Sequence, residues 1–438
     1  MGTPQSTARQ SGPLPFAALY RKLTEGGGVP SLKNQFESYF GGPYPLFGQL
    51  LYARLFGDKV VDESTFSSAI SQLAGLADSE VEPFIFSVFS KGASEISKND
   101  LMKVIYTAAL YALAAGSETA RELPENHFIL ESILSSVESP TLSSAQFVDW
   151  VKRSCPYLLE GLHRWILGAV LRYHSTSQTH SDENLRGQFV LPSPHLEGDE
   201  ASKEPELSAL IWAISTLVPI SLTVKSAKLA KPNQVSFPVG GVWTQLYSSR
   251  VHGTSMNRFL HHCLDYKKPS VMLVRCYHKT ERTEGLYALM VDTEWYCGPR
   301  YWGQEEFRLV QLQPVFRLLK SGPKLLSLND AHRGFPVGLQ VMSSPQACLL
   351  QVDDTLEKCR LYNGPWQEVE SIEVWGCGGL QAAEYQSKLK QWEEKAVLKS
   401  RNIRREGLKE MWLDSPDRYL LELGGIETNR PKEQLQNT

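Results

Sequence analysis

The sequence predicts an α+β chain in which a helical N-terminal domain precedes an antiparallel two-sheet β-sandwich and a C-terminal helix. Three observations lead to this prediction. Apolar residues recur at helical spacing through residues 16–173, whereas short strand-like segments follow one another between about 240 and 379. A charged segment with a helical apolar stripe then follows Gly379. Short strands separated by turn residues favour an antiparallel sandwich over βαβ units.

Changes in composition predict where the chain divides, because 438 residues are too many for one ordinary core. The predicted segments are a flexible N-terminus at 1–15, a helical domain at 16–173, a linker at 174–206, a β-rich domain with a preceding short helix at 207–379, and a basic amphipathic helix with a polar tail at 380–438.

The bulk composition excludes several classes of protein. A formal net charge of −3 lacks the basic excess that nucleic-acid binding requires. The seven cysteines are scattered without a CxxC pair, which favours reduced thiols in a cytoplasmic protein and no zinc site. The longest apolar run, 207–218, is about 12 residues, short of the roughly 20 that span a bilayer. We therefore expect no membrane span, no secretory leader, no nucleic-acid partner, no metal and no cofactor.

The helical domain contains a sequence similar to half of an EF-hand. Residues 91–101 are typical of the second half of a calcium loop, with Ile96 as the inter-loop β residue and Asp100 at the last ligand position. The first three ligand positions would be Phe89, Lys91 and Ala93, which cannot bind calcium through side-chain oxygens. Similar remnants lie at 61–66 and 142–147. We predict an EF-hand-like domain without calcium, and an ordinary helical bundle remains an equal alternative.

The N-terminus fits the M-G-x-x-x-[ST] pattern for myristoylation of Gly2. A chance match is the alternative, since three of the six positions are free. One acyl chain would give only weak membrane contact.

The β-rich domain is predicted from six strand-like segments, preceded by a short buried helix at 207–217 and interrupted early by a helix at 255–264. The predicted strands are 270–277, 286–291, 307–312, 324–328, 347–352 and 369–375.

The C-terminal segment is predicted to form a basic amphipathic helix. Residues 388–409 hold eight Lys or Arg against three Glu, and Gly407 is a candidate break before a last turn at 417–422. Two interpretations of this helix remain: it packs on its own domain, or it docks on a partner. Its apolar stripe consists of Tyr385, Leu389, Trp392, Ala396 and Ile403.

No specific catalytic motif is present, but three clusters are candidates. His252 beside Ser255 could act as a base next to a nucleophile, although capping of the helix by Thr254 or Ser255 and a turn held by His252 explain the same residues. His261-His262-Cys263 cannot chelate one ion easily, because adjacent helical residues point about 100° apart. Glu373 lies within a predicted strand, where structural anchoring is favoured over catalysis.

An ordered set of motifs in this region resembles the TLDc domain. Residues 269–273 resemble the strand that follows the opening motif of that domain, which is given below. Tyr301-Trp302-Gly303 resembles the aromatic turn of that domain. Two departures are the reduced glycine loop at 334–340 and the sequence at 360–363. The opening motif is Leu246, Tyr247, Ser248, Ser249, His252, Gly253 and Ser255, and the closing motif is Glu373, Val374, Trp375 and Gly376.

The flanking segments resemble the fungal restriction of telomere capping protein 5 family, and the layout is also similar to that of the mammalian EAK-seven homologue. The flanking residues that carry this resemblance are Gly2, 210–213, 377–379, 391–394, Arg404, Arg405 and 417–424.

The resemblance implies a β-sandwich without an established catalytic site that binds the vacuolar proton-pumping ATPase and affects oxidative-stress resistance. Such a protein would be cytoplasmic, on the cytosolic face of the vacuole or lysosome, with a family-level link to telomere capping. An enzyme or scavenger that uses His252, Ser255 and Glu373 is the alternative. The expected partner-binding residues are Tyr385, Leu389, Trp392, Arg404 and Arg405.

Overall fold

The computed structural model describes residues 14–25, 29–57, 59–114, 123–173, 193–195, 204–218, 242–278, 283–344 and 347–413. The backbone alone is described at 29, 30, 193–195, 204, 205, 278, 283 and 401–413. Gly2, most of the predicted linker and the last predicted turn therefore lie outside the described residues. The chain forms two compact units, Met1–Ala383 and Glu384–Thr438.

The N-terminal part of the first unit is helical, as the apolar spacing predicts. Helix starts agree with local capping chemistry: Asp62 accepts a hydrogen bond from the Thr65 N–H, and Ser143 forms a capping box with Gln146. The helices are α1 (Ala17–Thr24), α2 (Val29–Gly41), α3 (Pro45–Phe56), α4 (Glu63–Ala74), α5 (Asp78–Phe89), α6 (Lys98–Ala114), α7 (Phe128–Ser135), α8 (Ser144–Ser154) and α9 (Glu160–Leu171).

Two short strands join neighbouring helix pairs within this region. Strand β1 (Glu95–Ser97) precedes α6 and strand β2 (Thr141–Ser143) precedes α8, and they pair antiparallel with Ile96 opposite Leu142. Both of these apolar residues are buried. The ladder therefore ties the α5–α6 connection to the α7–α8 connection.

An aromatic cluster forms the centre of the helical core. The Tyr111 hydroxyl donates to the carbonyls of Phe40 at 2.6 Å and Gly41 at 2.9 Å, so it satisfies the last turn of α2. The Trp165 ring packs edge-on against Tyr111 with centroids 4.7 Å apart. Phe47 of α3 also packs against Tyr111, with ring centroids 5.2 Å apart. Burial of each such ring contributes about 1.5–3 kcal/mol to the free energy of unfolding.

The buried imidazole of His163 makes stability in this region depend on pH. Burial lowers its pKa below the usual 6.5, while nearby Glu160 acts in the opposite direction, and its Nε2 has no hydrogen-bond partner in the described part of the chain. The unfolded chain therefore binds a proton more readily as the pH falls through about 6.5, and stability is lost toward the lower folded pKa.

We expect His163→Leu to reduce the loss of stability between pH 7.5 and 5.5, as measured by urea unfolding. The exposed His332→Leu is the control, and an unchanged pH dependence in His163→Leu would contradict the prediction.

The C-terminal part of the first unit is a large, mainly antiparallel sheet. Its hydrogen-bonded order is β8-β7-β6-β5-β13-β12-β11-β10-β9, with β4 also paired to β13 and β3 parallel to β4. The strands are β3 (Ser193–His195), β4 (Val242–Ser248), β5 (Ser270–His278), β6 (Thr283–Val291), β7 (Arg308–Gln313), β8 (Arg317–Ser321), β9 (Leu326–Asn329), β10 (Gly338–Ser344), β11 (Ala347–Val352), β12 (Lys358–Leu361) and β13 (Gln367–Gly376).

The prediction of two separate sheets is wrong, because all of these strands are hydrogen-bonded into one continuous sheet. Strand β13 causes the continuity: its first residues pair with β12, its last residues pair with β4, and β5 lies along its other side. Only two residue pairs, Lys358 with Glu368 and Cys359 with Gln367, join β12 to β13. The two halves still enclose a shared core, which includes Met272 and Leu289 from one half and Val341 from the other.

The opposite face of the β5–β6–β7 half packs on the helical region. Val271, Leu273 and Trp375 belong to the same buried cluster as the helices, and the Phe316 N–H donates to the Ser132 carbonyl at 2.9 Å. Helix α10 (Glu204–Ser215), predicted at 207–217, lies in this cluster and contacts α6 and α7. The helical region and this face of the sheet therefore share one core.

The described part of the second unit is most of helix α13, which runs from Leu380 to Leu413. Its 34 residues give a rod about 51 Å long. The expected break at Gly407 is wrong, because one glycine costs only about 1 kcal/mol and strong helix formers flank it. Tyr385 is 55% exposed and Trp392 67% exposed. Among the helices described, none is both long and apolar enough to cross a bilayer.

Candidate functional site

The opening motif lies where β4 continues directly into the short helix α11 (Ser249–His252), which a turn at 253–255 connects to α12 (Met256–Cys263). Tyr247 is fully buried, and its hydroxyl donates to the Gly253 carbonyl at 2.7 Å. Burial raises the pKa of Tyr247 to about 12, so the phenol keeps the proton that this hydrogen bond needs. Nδ1 of His252 accepts a hydrogen bond from the Ser248 N–H at 3.0 Å. These contacts fix the turn.

Neighbouring motif residues also support the backbone. The Ser249 hydroxyl accepts a hydrogen bond from the Ile372 N–H at 2.9 Å, which ties the turn to β13. Gly253 has a φ of 79° and follows the end of α11. Ser255 occupies the N-cap position of α12, but the expected hydroxyl cap is wrong, since its side chain makes no capping hydrogen bond. Leu246 completes the motif as a buried residue of the sheet core.

Histidine rings cluster beside this turn. His252 and His262 stack with centroids 3.8 Å apart, and His261 meets His262 edge-on at 5.3 Å. Within the described residues, no group of three His, Cys, Asp or Glu side chains is placed to hold a metal ion. None of the seven cysteines, all of which lie in the described residues, forms a disulfide, and Cys263 is the buried last residue of α12.

The closing motif alternates across the two faces of β13. Glu373 and Trp375 face the helical region, where the Trp375 indole N–H donates to Glu373 Oε2 at 3.2 Å. Val374 points into the core between the two halves of the sheet. Gly376 lies against Tyr266, so close that a Cβ would stand 2.5 Å from the ring. Each motif residue thus has a packing role.

The aromatic turn serves the other half of the sheet. Trp302 forms an isolated bridge with Leu326, and Gly303 follows with a φ of 106°. The Asp292 carboxylate accepts hydrogen bonds from the N–H groups of Gln304 at 3.0 Å and Glu306 at 2.8 Å. These bonds hold the turn against β6.

The structure brings some of the predicted site residues together and separates others. Ser248 lies opposite Glu373 across β4 and β13.

A cavity of about 290 Å³ is lined by Glu373 but not by His252 or Ser255. Most of this lining was not predicted from the sequence, although Glu370, three residues before Glu373 in β13, was a usable signal. The lining consists of Glu206, Leu207, Leu210, Gln245, Arg250, Leu273, Arg275, Glu284, Leu286, Glu370, Ser371, Glu373 and Trp375.

Comparisons with known proteins agree with this architecture. The family model of the TLDc domain matches residues 239–378, so this part of the chain is a TLDc domain. The chain is also similar to the restriction of telomere capping protein 5 of the fungus Leptosphaeria maculans, with 22% identity over 385 residues. That match covers 70% of this chain and 59% of the relative, so the chain spans less than two thirds of the relative's length. Both resemblances predicted from the motifs are confirmed.

Proposed function

We propose that this chain is a non-enzymatic TLDc adaptor that works by binding another protein. The observation that carries the proposal is that side chains of the opening motif are hydrogen-bonded to backbone groups of the domain itself. The Tyr247 hydroxyl, the Ser249 hydroxyl and His252 Nδ1 are each engaged with a backbone group. Side chains committed to holding the backbone favour a scaffold that presents a surface over a reacting centre.

The partner we propose is the vacuolar proton-pumping ATPase, whose assembly or stress response the adaptor would modulate. The resemblance to TLDc proteins supports this choice. The exposed aromatic residues Tyr385 and Trp392 on the long basic helix α13 support a docking role for that helix, since Trp and Tyr dominate the binding energy of many interfaces. In this proposal, myristate on Gly2 adds a weak contact with the vacuolar or lysosomal membrane.

The helical region in this proposal is an EF-hand-like unit that needs no calcium. The pairing of Ile96 with Leu142 between two helix-connecting loops supports the EF-hand-like interpretation. Asp100, at the predicted last ligand position, accepts hydrogen bonds from Lys103 at 2.7 Å and Ser97 at 2.8 Å. The Lys103 hydrogen bond is the main cause of the lowered pKa of Asp100. The carboxylate thus has partners without a metal ion.

The helix contact is tested by Trp392→Glu in the full-length protein. We expect co-purification with the pump to fall at least about tenfold, because a charge would replace an aromatic anchor at the interface. The melting temperature should stay within about 1 °C of the wild type, since a change at an exposed position away from packing features rarely alters stability.

The matched control is Gln391→Glu, which adds the same charge at an exposed position outside the apolar stripe. It should co-purify like the wild type. Wild-type recovery of the pump with both Trp392→Glu and a deletion of residues 384–438 would sink the proposed role of the helix.

A further inference from the structure

Apolar side chains form part of the floor of the cavity beside Glu373. Leu273 of β5 and Leu286 of β6 form part of it, Trp375 of β13 is only 1% exposed, and Leu207 and Leu210 of α10 close one side. The register places these groups together, since Arg275 lies opposite both Ser371 and Leu286, and Leu273 lies opposite Glu373. Such a floor suits an aliphatic or otherwise apolar stem.

Charged side chains surround this floor, and most of them are already paired. Arg250 binds Glu370 at 3.0 Å, and Arg275 forms an ion pair with Glu206. Each arginine is therefore matched by a carboxylate from another element of the fold. These pairs leave little capacity for an anionic ligand.

Two carboxylates in the lining, Glu284 and Glu373, have no cationic partner in the described part of the chain. Glu373 accepts one hydrogen bond from the neutral Trp375 indole, and Glu284 accepts a long one, 3.5 Å, from the Gln313 amide. The six ionised groups of the lining thus carry a net negative charge. An incoming cation would find carboxylate oxygens available for charge-assisted hydrogen bonds.

A buried hydroxyl in the lining also has no partner. Ser371 is 7% exposed, it faces the cavity, and its hydroxyl makes no hydrogen bond within the described residues. On the next strand, the hydroxyl of Ser248, opposite Glu373, is likewise buried and unpartnered. The Ser371 hydroxyl is available to hydrogen-bond a polar atom of a ligand in the cavity.

We propose that this cavity binds an alkyl ammonium or guanidinium group, with the charged end at Glu373 and Glu284 and the stem along Leu273, Leu286 and Trp375. The cavity volume of about 290 Å³ suits a group of the size of one lysine or arginine side chain. Two sources share this chemistry, a basic side chain of a bound protein and a free aliphatic amine. The site stands independently of the proton pump.

The test is calorimetric titration of the full-length chain at low ionic strength. The probes are Nα-acetyl-lysine methylamide and Nα-acetyl-arginine methylamide for a protein side chain, putrescine for a free amine, and Nα-acetyl-norleucine methylamide as the uncharged control. We expect saturable binding of at least one cation, weakened by salt, and none of the norleucine compound. Binding by the blocked amino acids but not putrescine would identify a protein side chain as the source, and the reverse would identify a free amine.

The carboxylates are tested by Glu373→Gln and Glu284→Gln, with the exposed Glu305→Gln as control. Gln at 373 can still accept the Trp375 hydrogen bond, so the fold should be kept. We expect at least about tenfold weaker binding for Glu373→Gln, a few-fold loss for Ser371→Ala, and wild-type affinity for Glu305→Gln. No saturable binding of any cation, equal binding of norleucine, or unchanged affinity in both lining variants would overturn the proposal.

Discussion

Replacing Gly338 by alanine is expected to destabilise the protein by about 3 kcal/mol or more. Gly338 begins β10 with a φ of 97°, a conformation that costs an L-residue about 1–2 kcal/mol. A Cβ at this position would also stand 2.2 Å from the Val352 carbonyl oxygen and 3.0 Å from the Asp353 carbonyl carbon. These are backbone atoms at the end of the neighbouring strand β11 and of the residue after it, and Val352 pairs with Leu339, so they cannot move aside without opening the ladder.

The matched control for this prediction is Gly334→Ala. Gly334 has a similar φ of 85°, but nothing lies within 4 Å of its Cβ position. We expect only the conformational part of the cost there, about 1–2 kcal/mol. Urea unfolding followed by tryptophan fluorescence measures the free energy of unfolding of both variants. An equal loss of stability in the two variants would show that the contact with Val352 is unimportant.

Gly48→Ala is the second change with a large expected effect, again about 3 kcal/mol or more. Gly48 lies in α3 where that helix crosses α2 at close range. A Cβ there would be 2.2 Å from the Glu37 carbonyl oxygen and 2.7 Å from the Gly41 nitrogen. The two helices would have to separate, and the Tyr111 hydrogen bonds to Phe40 and Gly41 would be strained with them.

Gly168→Ala provides the control in another helix of the same region. No atom lies within 4 Å of a Cβ at Gly168 in α9, so alanine should stabilise the protein by about 0.5–1 kcal/mol through helix propensity. Thermal unfolding of the two variants should therefore move in opposite directions. A stable Gly48→Ala protein would mean that α2 and α3 can separate at little cost.

Local pattern was enough to predict the mixed helix and strand architecture and several of the strands, but not that these strands form one sheet. The segment 347–352 is a strand with those bounds, and 270–277 is one residue short of β5. Five of the described strands of the sheet were missed, and two of them, β4 and β10, have seven residues each. Two of the others are short or lack a clear pattern. β12 has only four residues, and β8 has no buried residue, so their pairing partners decide their structure more than their composition does.

The site was predictable only in part. Motifs identified Glu373 and the turn around His252, because each lies in a short contiguous signature. The cavity was not predictable, since Glu206, Glu284 and Arg275 come from different elements that only the strand register and the packing of α10 bring together. The continuous helix through Gly407 shows the same limit, because neighbouring residues outweigh one weak helix former.

The position of β13 in the sheet has a consequence for synthesis of the chain. This strand is the last of the domain to leave the ribosome, yet it lies between β5 on one side and β12 and β4 on the other. Until residues 367–376 emerge, three earlier strands each expose an edge of unpaired backbone groups. The sheet can therefore be completed only after this strand emerges, and its assembly depends on contacts that are distant in sequence.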